Sequence, residues 1–117
     1  MRILLVEDHK DTRLTLQRYL QAAKNDVCAA ETAPQALELA ESQKFDLVIS
    51  DLGLRDEGGG FALMRVLRER RGLKGIAVSG YGMAEDIAQS REAGFSHHLT
   101  KPISLDRLKK LIAEIST

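Results

Sequence analysis

Five side chains in this 117-residue sequence stand where short apolar runs stop, and their types suit one chemistry. RILLVED ends on Glu7 and Asp8, LVISD on Asp51, IAVSG on Ser79 and HHLTKP on Lys101. Adjacent acids repel, and desolvation disfavours both charged forms, so a compensating cation is needed. Carboxylates without histidine or thiolate are hard oxygen ligands. They suit Mg2+, which keeps several waters and takes one or two carboxylates directly. Glu7, Asp8 and Asp51 sum to −3, Lys101 returns +1, and a divalent cation brings the group to about zero. Such a site accepts a phosphoryl group, with Lys101 and the Ser79 hydroxyl on its oxygens, because phosphoryl transfer depends on positioning and charge neutralisation. A carboxylate can act as nucleophile and form an acyl phosphate. Asp51, with the others around it, is the candidate acceptor.

The chemistry requires these residues to meet, and the pattern of elements explains how. Apolar runs predict buried strands at Arg2–Val6, Asp26–Ala30, Leu47–Ser50, Gly75–Ser79 and His97–Leu99. Between them run stripes of helical period: Thr12, Leu16, Leu20 and Ala23; Ala33, Ala36, Leu37 and Ala40; Phe61, Met64 and Leu67; Leu105, Leu108, Leu111 and Ile115. A fourth helix over about 84–93 has Ile87 as its main apolar anchor, and Gly94 sits where a left-handed residue would end it. Strand and helix alternate five times. That order predicts an α/β fold, a doubly wound parallel sheet with helices on both faces and right-handed crossovers. Nearly continuous apolar strands agree, because such a sheet is covered on both sides. Ligands of open parallel sheets bind beyond the carboxyl ends of the strands, where all five polar residues stand.

Composition narrows the function. The length predicts a single domain over 1–117. Basic and acidic side chains number 17 each, which leaves no electrostatic footprint for direct nucleic-acid binding. The lone Cys28 excludes a disulfide framework and fits a small strand residue in a reducing cytoplasm. No apolar run approaches the roughly 18 residues of a membrane span. Gly58, Gly59 and Gly60 lack the lysine-serine/threonine ending of a P-loop and read as loop flexibility. The run Arg68–Arg71 reads as the solvated end of a helix, and His9, His97, Asp46, Asp56 and Glu57 read as surface residues.

The chain resembles the receiver domain of two-component response regulators over its whole length. The motifs are LLVED (4–8), DLVISDLGL (46–54), VSGYG (78–82) and LTKPI (99–103), in order and each at a strand end. The resemblance implies a five-stranded, flavodoxin-like sheet in the order 2-1-3-4-5. It implies that Asp51 is phosphorylated by a histidine kinase or histidine phosphotransfer domain. Asp8 would bind Mg2+ directly and Glu7 mainly through water. The Asp51 carboxylate and the Gly53 carbonyl would complete the protein ligands, Ser79 and Lys101 would contact phosphoryl oxygens, and the Lys101–Pro102 peptide would be cis. A phosphorylation-dependent contact, including a dimer, would use the face of the fourth helix, fifth strand and fifth helix. The last helix, SLDRLKKLIAEI, is similar to receivers attached to hybrid histidine kinases.

Three positions depart from the family pattern. His98 stands where a tyrosine or phenylalanine usually couples to the hydroxyl at Ser79, and a histidine charge can change near neutral pH. Arg55 replaces a frequent proline, and with Asp56, Glu57 and three glycines it predicts a mobile loop. Gly53, two residues after Asp51, offers no side chain to shield or assist an attacking water. An aspartate-nucleophile phosphatase would need a general acid at Gly53, so that reading ranks low. The alternative is a degenerate receiver, a protein-interaction module that is never phosphorylated. The complete set Glu7, Asp8, Asp51, Ser79 and Lys101 favours the phosphoryl-accepting switch: a substrate with self-phosphorylation and autodephosphorylation chemistry, not a turnover enzyme.

Overall fold

The computed structural model describes residues 1–54, 59–80 and 84–116, the side chains of 84–86 excepted. Five parallel strands form one sheet in the order β2-β1-β3-β4-β5. They are β1 (Arg2–Val6), β2 (Asp26–Ala30), β3 (Leu47–Asp51), β4 (Lys74–Ser79) and β5 (His97–Thr100). Five helices alternate with them: α1 (Lys10–Ala22), α2 (Ala33–Ser42), α3 (Gly59–Arg71), α4 (Ala84–Ala93) and α5 (Leu105–Ser116).

The strand period of two divides the core into two layers. Ile3 and Leu5 of β1 pack with Leu16, Leu20, Leu108 and Leu111 of α1 and α5. Leu4 and Val6 turn to the opposite face and pack with Ala36, Ala40, Leu63, Met64 and Leu67 of α2 and α3. Each fully buried aliphatic side chain contributes about 1.5–3 kcal/mol relative to exposure. The hydroxyl of Tyr19 on α1 donates to the Leu105 carbonyl at the start of α5, tying the two helices of one layer together at 3.1 Å.

Helix starts follow local capping. The Thr32 hydroxyl accepts from the Gln35 amide, and the Gln35 side chain accepts from the Glu31 amide, giving a reciprocal cap for α2. His9 caps α1 by accepting from the Thr12 amide at 3.3 Å, so this surface histidine has a structural role that its sequence neighbours do not advertise. Gly94 closes α4 with φ +116°, as its position predicts.

Several details differ from the sequence reading. Strand β3 runs one residue further, to Asp51, because Asp51 pairs with Val78. Strand β5 extends to Thr100 because that residue pairs with Ser79. Ala23 is exposed at the C-cap of α1 and contributes nothing to the stripe. In α4, Ile87 is only half-buried, whereas Ser90 and Ala93 are buried. Gly59 and Gly60 are not loop residues: both are buried and open α3. A Cβ on Gly59 would lie 2.6 Å from the Leu52 carbonyl oxygen, and one on Gly60 would collide with the Asp51 carbonyl oxygen. Their role is close approach of α3 to the backbone of the proposed acceptor. The expected mobility around Arg55, Asp56, Glu57 and Gly58, and the solvent-facing reading of the two acids, lie outside the described residues.

Candidate functional site

The carboxyl edge of the sheet brings together the residues that stood at the ends of the apolar runs. Glu7 follows β1, and its amide donates to the Ala30 carbonyl at 3.0 Å. This continues the β1–β2 pairing one residue past the strand and holds Glu7 inward, at 2% exposure. Asp8 follows it and is half-buried. Asp51 ends the central strand at 8% exposure. Its Oδ1 accepts from the Gly53 amide at 3.0 Å, which fixes the carboxylate plane without a side chain at position 53.

Lys101 arrives from β5. Its amide donates to the Ser79 carbonyl at 2.7 Å, and the Lys101–Pro102 peptide is cis. The ammonium then reaches 2.9 Å from Glu7 Oε1 and 3.3 Å from Asp51 Oδ2. Burial alone would lower the lysine pKa, but the hydrogen bonds and charges of Glu7 and Asp51 outweigh it, so the net direction is up. At Glu7 burial dominates. Together with the Asp51 carboxylate it raises the acid from 4.5 to about 7, against the opposing pull of Lys101.

Three carboxylates therefore share a space with one lysine. Ligand oxygens of Glu7, Asp8 and Asp51 all lie within 4.8 Å of one another. Glu7 Oε2 is buried without a hydrogen-bond partner among the described residues. A buried carboxylate oxygen left unsatisfied costs about 1–3 kcal/mol or more. An acidic pocket with an orphaned oxygen and only hard donors fits a divalent metal.

Ser79 and His98 form the other flank. Ser79 ends β4 and is buried, and its Oγ lies 2.8 Å from His98 Nε2. His98 is half-buried in β5, as its sequence position predicts. Its Nδ1 lies 3.4 Å from the hydroxyl of Ser90, a buried residue of α4. Sequence reasoning missed Ser90, since a serine inside a weakly amphipathic helix carries no signal of its contacts. It also missed Arg13, whose guanidinium donates to the Glu7 carbonyl at 3.0 Å and reaches Glu31 at 3.2 Å. The register of α1 over β1 creates that contact, and no short motif encodes it.

Known proteins share this fold. The solved two-component response regulator from Clostridium difficile has the same fold, with a TM-score of 0.93 at 22% identity over 98% of this chain and 94% of that one. A CheY-like response regulator receiver domain protein from Methanospirillum hungatei gives a TM-score of 0.88 at 30% identity, covering 98% of this chain and 93% of its own. Response regulator protein PilR of Pseudomonas aeruginosa is 34% identical over 111 residues, covering 94% of this chain. The sensor protein EvgS of Escherichia coli is 32% identical over 114 residues, covering 97% of this chain. The chain spans only 25% of the length of PilR and 9% of EvgS. The family model for the response regulator receiver domain matches residues 3–113. With the sheet order, the acidic pocket and this match all pointing the same way, the chain belongs to the receiver domain family of two-component signalling.

Proposed function

We propose that this chain is a phosphoryl-accepting switch in which Asp51 takes a phosphoryl group from phosphohistidine on a histidine kinase or histidine phosphotransfer domain. The observation that carries the proposal is the setting of Asp51. Its carboxylate is oriented by the Gly53 amide, faced by the Lys101 ammonium and set beside two further carboxylates. An Asp51 oxygen attacks phosphorus. The new O–P bond forms as the N–P bond of the donor breaks, and the imidazole leaves with the electron pair and takes up a proton. Lys101 meets the incoming negative charge, and the Ser79 hydroxyl donates to a phosphoryl oxygen.

Glu7, Asp8, Asp51 and the Gly53 carbonyl would hold Mg2+, which supplies charge neutralisation for the acids and the transferred group. The donor approaches beside Lys101, where Thr12, Thr15 and Leu16 of α1 form a groove with Pro102 and Ile103. The setting is a cytoplasmic phosphorelay. The output surface is the face of α4, β5 and α5, with a phosphorylation-dependent dimer as one form of contact. No described helix is long and apolar enough to cross a membrane.

Borohydride reduction after incubation with acetyl phosphate and Mg2+ tests the acceptor. An acyl phosphate on Asp51 is reduced to homoserine, and peptide mass mapping is expected to find it at position 51. Homoserine at another aspartate, or the corresponding alcohol at a glutamate, would contradict the assignment.

A further inference from the structure

Asp8 sits in the short turn from β1 to α1, and one arginine ties carbonyls on both sides of it. The Arg13 guanidinium donates to the Glu7 carbonyl at 3.0 Å. The Arg13 amide donates to the carbonyl of His9, the N-cap of α1, at 2.9 Å. The Glu7 carbonyl belongs to the planar peptide unit that leads into Asp8, so holding it fixes the direction from which the Asp8 side chain departs. On its other side Glu7 is held as well, because its amide donates to the Ala30 carbonyl at 3.0 Å. The guanidinium is itself anchored. The Arg13 side chain is only 12% exposed, and its Nη2 lies 3.2 Å from Glu31 Oε1, just before α2. A planar fork suits two acceptors at a fixed separation, whereas a lysine ammonium supplies the charge without the fork.

We propose that Arg13 is a positioning residue of the acidic pocket, which clamps the Glu7–Asp8 peptide and so presets the two carboxylates for a divalent cation. Metal affinity, and with it phosphoryl acceptance at limiting Mg2+, then depends on a guanidinium that bonds the backbone of the ligand turn and not a ligand side chain. The inference rests on the phosphoacceptor reading and adds a determinant of its metal site. Two simpler roles carry different signatures. A staple between α1 and the corner of β2 and α2 would serve stability and leave metal affinity alone. A cation acting only by its charge would oppose Mg2+, so removing it beside three carboxylates would tighten binding. Loss of the clamp has the opposite sign, because the ligand turn must then be ordered at the moment of binding. Weaker binding after removal of a positive charge is therefore the mark of positioning.

The test is a Mg2+ titration at fixed pH and ionic strength, followed in amide spectra, which report folding and affinity together. It compares wild type, Arg13→Gln, Arg13→Lys and Arg18→Gln. Arg18 is exposed on the same helix, so its loss controls for charge alone. Arg13→Gln is expected to bind Mg2+ about tenfold more weakly than wild type, as for residues that orient metal ligands in other sites. Arg18→Gln binds at least as tightly as wild type. Arg13→Lys, with the charge kept and the fork lost, falls between wild type and Arg13→Gln. It decides alone if the glutamine variant does not stay folded, and an affinity equal to wild type then overturns the clamp. Equal or tighter binding by folded Arg13→Gln overturns it too. A lower urea midpoint with unchanged Mg2+ affinity would make Arg13 a staple; the metal site would then stand and the clamp alone would fall. Failure of wild type to bind Mg2+ would overturn the metal reading of the pocket and the clamp together.

Discussion

Lys101 places its ammonium 2.9 Å from Glu7, a residue 94 positions earlier in the chain. The contact spans the sheet edge from β5 to β1 and passes Asp51 on the way. It makes one lysine the counter-charge for two buried carboxylates.

Removing that lysine leaves two acids facing each other without compensation. Breaking a buried ion pair costs about 3–5 kcal/mol, and the partial exposure of Lys101 reduces this. Lys101→Met is expected to lower stability by about 2 kcal/mol in urea unfolding without metal. Added Mg2+ recovers part of the loss, since it supplies the missing positive charge. A variant as stable as wild type in the absence of metal would contradict the assignment of Lys101 as counter-charge.

The protonation of Glu7 gives a pH signature in the metal-free protein. The folded-state value of about 7 lies above the ordinary 4.5, so between these values the folded protein holds a proton that the unfolded chain releases. This contribution to stability is complete below pH 4.5 and is lost as pH rises through 7. Lys101 stays charged throughout. Wild type should therefore lose about 2 kcal/mol relative to Glu7→Gln between pH 5 and pH 8, measured by paired urea melts. Metal binding has the opposite dependence. It needs the ionised acid, so calorimetric Mg2+ affinity should rise with pH across the same interval. A pH-independent affinity would exclude Glu7 from the metal site.

The start of α3 offers a steric test. Gly60→Ala drives a methyl group into the Asp51 carbonyl oxygen. Overpacking of this kind typically costs about 1–3 kcal/mol. Because the displaced atom belongs to the proposed acceptor, phosphorylation should slow by more than the loss of folded protein explains. Gly80→Ala, where a Cβ meets nothing within 4 Å among the described residues, is the stability control.

Position 53 should set the lifetime of the acyl phosphate. A Cβ there would lie 3.6 Å from Asp51 Oδ1, in ordinary contact, so a larger side chain can be accommodated beside the acceptor. Gly53→Leu is expected to slow hydrolysis severalfold by excluding water from the phosphorus. An unchanged rate of phosphate release would show that water approaches from elsewhere.

The sequence made the frame of the site legible for a physical reason. A parallel sheet buries its strands on both faces, so its strands read as apolar runs and their ends as abrupt polar residues. Glu7, Asp8, Asp51, Ser79 and Lys101 stood out on that basis alone. What escaped depends on contacts between distant elements. Gly59 and Gly60 carry turn chemistry in the sequence, yet they serve packing against residues 51 and 52. The bonds of His98 to Ser79 and Ser90 arise from β4–β5 register and the seating of α4. Among the described side chains of α4 the buried positions are Ser90 and Ala93, and neither has the size or polarity that marks an anchor in a one-dimensional pattern.

Intact-mass spectrometry after incubation with acetyl phosphate tests the central claim most directly. Wild type and Asp51→Asn are compared with and without Mg2+. The account predicts a single phosphoryl adduct on wild type that requires Mg2+ and is absent from Asp51→Asn. An equal adduct on Asp51→Asn, or one indifferent to Mg2+, would contradict it.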